Sequence, residues 1–126
     1  KGFQTINLVE LSEGAEPHGH GTAVASLIAG DHPNMRGVAP SSPILSIRVA
    51  DETGSSSSLT LADGIVAAVD NGAQIINISM GSYGNSLILQ DAINYANDKG
   101  AVIFASSGNE GFSAAAYPAA PYLYRT

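Results

Sequence analysis

With 126 residues the chain is about the size of one ordinary domain, and a hydrophobic content of 44% is enough to build a core around a sheet. A net charge of −6, from 5 Lys and Arg against 11 Asp and Glu, lacks the basic footprint that binding to nucleic acid or an anionic membrane requires. Cysteine is absent, which excludes disulfide frameworks, thiolate metal sites and cysteine nucleophiles, and no apolar run approaches the roughly 20 residues that span a bilayer.

Residues 3–9 (FQTINLV) alternate in the manner of a strand and give way to an acidic loop reaching Pro17. The Ala-rich stretch 20–30 (HGTAVASLIAG) predicts a short buried helix with His20 in its first turn and Gly30 at its end. Residues 44–49 (ILSIRV), entered through Pro40 and Pro43, predict a buried strand, and the Gly54 to Ser58 run reads as a linker by composition. Leu61, Ile65, Ala68 and Val69 fall on one helical face that Asn71-Gly72 terminates. Gln74 to Ser79 (QIINIS) predicts the next strand. Leu89, Ala92, Ile93 and Ala96 repeat the helical spacing before Lys99-Gly100, and AVIFA at 101–105 predicts a last short strand.

Strand and helix thus alternate, and the strands are continuously apolar. This is the pattern of an α/β fold, a parallel sheet flanked by helices on both faces. In such sheets ligands bind at the carboxyl ends of the strands, which directs attention to the loops after QIINIS and AVIFAS. Ser79, Met80 and Gly81, and Ser106, Ser107 and Gly108, are mostly small or polar and suit pocket walls that offer backbone donors and acceptors to an extended peptide. His20, at a helix start, carries an imidazole that can take up a proton, and Asn109 follows a glycine that allows a tight turn. Taken alone, Gly108-Asn109 is equally well read as a simple turn.

Three segments in this order, His18-Gly19-His20-Gly21-Thr22, Ser79-Met80-Gly81-Ser82 and Ser106-Ser107-Gly108-Asn109-Glu110-Gly111, resemble the subtilase family of serine peptidases. Arg36-Gly37-Val38-Ala39-Pro40 is similar to that family's GVAP segment, and Tyr117-Pro118-Ala119 to its YPA turn, so the resemblance runs from His18 to Ala119. It implies that His20 is the general base of a Ser-His-Asp triad and Asn109 the oxyanion-hole donor. Ser79, Met80, Gly81, Ser106, Ser107 and Gly108 would line the pocket for the side chain preceding the scissile bond. The resemblance also implies that Gly54, Ser55 and Ser56 form an edge segment pairing with substrate, whereas their composition alone suggests a flexible linker. It makes secretion or a cell-envelope location the expectation.

Neither triad partner is recognisable. Only 19 residues precede His20, with no Asp-Ser-Gly or Asp-Thr-Gly among them, and no Gly-Thr-Ser-Met-Ala-like elbow follows Asn109. The expectation is therefore a single partial subtilase catalytic domain spanning residues 1–126, inactive by itself because no acyl-enzyme forms without the serine. A non-catalytic subtilase-like domain that binds peptides in the same cleft is the alternative. An unrelated nucleotide binder is disfavoured by the lack of a GxGxxG or GxxxxGK[ST] loop. His18, His20, His32 and Asp31 are a rival zinc constellation, but they lack a recognised ligand spacing, and residues 31–36 offer few carboxylates for calcium. No metal or cofactor is therefore expected. The expected partner is a polypeptide substrate in extended conformation, and the partial sheet leads us to expect self-association.

Overall fold

The computed structural model describes residues 2–81, 86–109 and 117–119, which fall into two compact units, Lys1–Thr60 and Leu61–Thr126. In the first unit, β1 (Phe3–Asn7) pairs in parallel with β4 (Ile44–Arg48), Phe3 opposite Ile44 and Asn7 opposite Arg48. The ladder continues past both ends, where Ile44 N–H donates to the Gly2 carbonyl and Leu8 N–H to that of Arg48. A parallel pair needs a crossover, and here it contains α1 (His20–Ala29) followed by a small hairpin of β2 (Asp31–His32) and β3 (Met35–Arg36).

The hairpin is absent from the sequence expectations, since two-residue strands carry too little periodicity to be read. Its turn is closed by the His32 imidazole, whose Nδ1 accepts from the Asn34 N–H at 3.2 Å. The Asp31 to Arg36 ion pair across it, at 3.7 Å, is mostly solvent-exposed and contributes little.

The chain leaving β3 closes the end of α1. Gly37 N–H donates to the Gly30 carbonyl, Val38 N–H to Leu27 and Ala39 N–H to Ile28, at 2.8, 3.0 and 2.7 Å, so carbonyls that a helix end leaves orphaned are satisfied by the GVA segment. Such close backbone approach leaves no room for a side chain. A Cβ on Gly37 would lie 2.7 Å from the backbone atoms Ala29 N, Gly30 N and Ile28 C.

α2 (Ser58–Asp70) begins at the end of the first unit and runs into the second, which also contains β5 (Ile75–Ile78), α3 (Leu87–Asp98) and β6 (Val102–Ala105). β5 and β6 are parallel, with Ile75 opposite Val102 and Ile78 opposite Ala105, and α3 packs against β6. Both helices end as their sequences predict. Gly72 and Gly100 adopt left-handed backbone, and the residue after each, Ala73 and Ala101, donates back to Ala68 and Ala96, each at 2.9 Å. At the start of α3 the Ser86 hydroxyl accepts from Leu89 N–H.

The buried hydrophobic side chains among the described residues all belong to this unit. Ile65 and Ala68 of α2, Ile76 and Ile78 of β5, and Leu89, Ile93 and Ala96 of α3 are its centre. Burial alternates along β5, so the second unit by itself covers one face of its strand pair and leaves Ile75, Val102 and Phe104 exposed on the other. No helix among the described residues is long and apolar enough to cross a membrane.

Candidate active site

His20 occupies the first position of α1 and is exposed there. The residue before it, Gly19, stands at the N-cap and contributes no side-chain cap. That function is taken over from two residues upstream, where His18 Nδ1 accepts from the His20 backbone N–H at 3.3 Å. The two imidazole rings lie 6.4 Å apart, tilted by 53°.

The segment containing Gly54, Ser55 and Ser56, whose composition suggests a linker, is a closed turn. One carboxylate oxygen of Asp51 accepts from the Thr53 N–H at 2.9 Å, the Thr53 hydroxyl at 2.6 Å and the Ser55 N–H at 3.0 Å. Backbone bonds from Gly54 N–H to Asp51 O and from Asp51 N–H to Ser55 O complete it. Gly54 sits at φ +83°, the left-handed conformation this tight return requires. The Thr53 hydroxyl, then the Ser55 N–H, hold the Asp51 carboxyl below its ordinary value, because each donates to the ionised form. The Ser12 hydroxyl does the same for Glu52, tying the turn to the acidic loop after β1. Ser56 anchors the far side by donating to the Val49 carbonyl. Side-chain hydrogen bonds override composition here, and the signal that could have shown it is the spacing Asp-x-Thr-Gly-Ser, an Asx-type turn.

In the second unit, the parallel register of β5 and β6 brings their carboxyl ends together. The Ser106 N–H donates to the Ile78 carbonyl at 3.1 Å, so Ser79, Met80 and Gly81 leave the sheet beside Ser106, Ser107 and Gly108. Asn77, which the sequence reading passed over as a strand residue, donates its side-chain amide to the Ser79 hydroxyl at 2.9 Å. Gly108 adopts φ +96°, a conformation that favours glycine, and Asn109 follows it, exposed. Tyr117-Pro118 is a cis peptide. Ser82, Glu110 and Gly111, which complete two of the motifs, lie outside the described residues.

The structure therefore groups His18, His20 and the Gly54 turn in one unit, and the loops holding residues 79–81 and 106–109 in the other. Among the described residues no three His, Asp or Glu side chains converge as a metal site would require.

The subtilase family model matches residues 10–125. The chain belongs to the subtilase family. It is 40% identical over 105 residues to thermitase of Thermoactinomyces vulgaris, covering 81% of this chain and 38% of thermitase. Over 104 residues it is 38% identical to subtilisin Savinase of Lederbergia lenta, with coverages of 81% and 39%. Among solved structures, a mutant of the protease domain of PatA superposes with a TM-score of 0.82 at 28% identity, covering 94% of this chain and 46% of that one. The prenylagaramide maturation protease PagA gives 0.76 at 35% identity, with coverages of 92% and 42%. This subtilase chain has the α/β fold, and it spans about two-fifths of the length of thermitase and Savinase.

Proposed function

We propose that this chain is the middle part of the catalytic domain of a serine endopeptidase, within which residues 1–126 form a single incomplete domain. The observation that carries the reading is the family match over residues 10–125. Two local geometries support it: His20 opens α1, and Asn109 follows the left-handed Gly108 past the carboxyl end of β6.

In this mechanism His20 takes the proton from a serine hydroxyl as that oxygen attacks the peptide carbonyl, then delivers it to the leaving amine. The Asn109 amide donates to the carbonyl oxygen as it becomes negative in the tetrahedral intermediate. The serine that forms the acyl-enzyme, and the aspartate that orients His20, are supplied by residues other than these 126. The substrate is a polypeptide bound in extended form, flanked by residues 79–81 and 106–108 and paired along Gly54, Ser55 and Ser56. The ordered turn around Asp51 favours that pairing, because a pre-formed edge loses little entropy when a peptide adds to it. Taken alone, the 126-residue chain self-associates through its exposed apolar strand face.

A serine-directed fluorophosphonate probe tests this reading. The full-length protein is expected to label, and His20→Ala to abolish labelling, while the 126-residue chain does not label because it lacks the serine that forms the acyl-enzyme. A folded full-length protein that fails to label would instead be a peptide-binding relative without catalysis.

A further inference from the structure

We infer that His18 is a positioning residue, one that sets the location of His20 relative to the Gly54 turn; the inference rests on His20 being the general base. Three observations converge on this side chain, all within the first unit. The Nδ1 of His18 accepts from the His20 backbone N–H at 3.3 Å, which fixes the entry of the chain into α1 at the very residue proposed to move the proton. Gly19 at the N-cap has no side chain to do this, and the side-chain acceptor comes from the residue before it.

The same ring also stands close to the turn. A Cβ on Gly54 would stand 3.4 Å from His18 Cδ2, 3.5 Å from Cγ and 3.6 Å from Nδ1, so the imidazole occupies the side of Gly54 where a side chain would project. The third observation is that the turn it faces is itself held by three hydrogen bonds to one oxygen of Asp51.

His18 thus stands next to both groups that the proposed chemistry needs in register, the general base and the edge that pairs with substrate. An acceptor at Nδ1 leaves the neutral ring's proton on Nε2, away from the helix start. The same device, an imidazole Nδ1 accepting from the backbone N–H two residues on, closes the His32 turn, where no catalytic residue follows. The motif is therefore a local backbone device in both places, and at His18 its product is the placement of His20.

Full-length enzyme tests this with three substitutions. His18→Leu keeps bulk and removes the acceptor, His18→Ala removes both, and His18→Asn keeps an acceptor suited to capping. Displacing a reacting group by around an ångström costs on the order of 100-fold, and partial displacement less. We expect His18→Leu to lower kcat by roughly 10- to 100-fold with KM little changed, and His18→Asn to recover most of the loss. His18→Ala replaces the leucine variant should that one not fold. An unchanged kcat in either acceptor-free variant, in an enzyme whose wild type labels with fluorophosphonate, overturns the inference alone. So does an asparagine variant no better than leucine. A wild type that neither labels nor turns over peptide overturns the general-base reading and the inference together.

Discussion

At the scale of single residues, the chain shows how far an amide or an imidazole depends on its neighbours. Asn109 gains its proposed use from Gly108, whose left-handed backbone turns the chain past the end of β6. Replacing Asn109 by Leu in the full-length enzyme removes the donor without adding charge. The expected result is a fall in kcat of about 100- to 1000-fold, the size of effect that loss of this donor has in subtilisin, with KM nearly constant. Steady-state kinetics on a peptide substrate reads both numbers. A fall confined to KM would place Asn109 in substrate binding instead. Tyr95 shows the same dependence away from the site: its hydroxyl donates to Asp70 at 2.7 Å, and that bond raises its pKa because the carboxylate favours the protonated phenol.

At the scale of elements, the histidine helix is held at its start by a side-chain acceptor and at its end by backbone donors, all recruited from outside it. His18 serves the start, and the Gly37, Val38 and Ala39 amides serve the end. This gives the GVAP segment a physical meaning, since any Cβ at position 37 would fall 2.7 Å from the backbone of the last helical turn. Gly37→Ala is expected to destabilise the protein by about 1–3 kcal/mol, because the added methyl meets backbone that cannot rotate away. Gly21→Ala is the matched control. A Cβ there meets no atom within 4 Å, and alanine favours a helix, so its effect on stability should be near zero or slightly positive. Urea titration of the two variants against wild type measures the difference. Equal midpoints would show that the GVA closure of α1 yields without cost.

For the molecule as a whole, what stands out is the apolar surface each unit leaves uncovered. Phe3 on β1 is 65% exposed, and in the second unit Ile75, Val102 and Phe104 are 69%, 52% and 58% exposed on one strand face. Contiguous apolar strand surface of this kind is removed from water by association. The 126-residue chain is therefore expected to self-associate, with light scattering at increasing concentration giving a mass above 12.8 kDa. Phe104→Lys should shift that mass toward the monomer. A monodisperse monomer at high concentration would show that the exposed face does not drive assembly.

The sequence by itself determined the alternation of elements, because apolar period and glycine stops are local properties. α2, β5, α3 and β6 all fall within a few residues of their predicted bounds, and Gly72 and Gly100 end the helices where the sequence predicts. It also determined the family, since the segments around His20, Gly37, Gly81 and Asn109 come in an order that no single motif could specify. Only the tertiary structure decided that His18 caps the helix of His20 and that Asn77 braces Ser79, and it made residues 51–56 a closed turn where composition suggested a linker. In each of these a side chain bonds to a group whose position is fixed by the fold of the backbone around it. Composition and periodicity record what a residue is and how often its type recurs; the direction in which a donor points is settled only when the chain has folded.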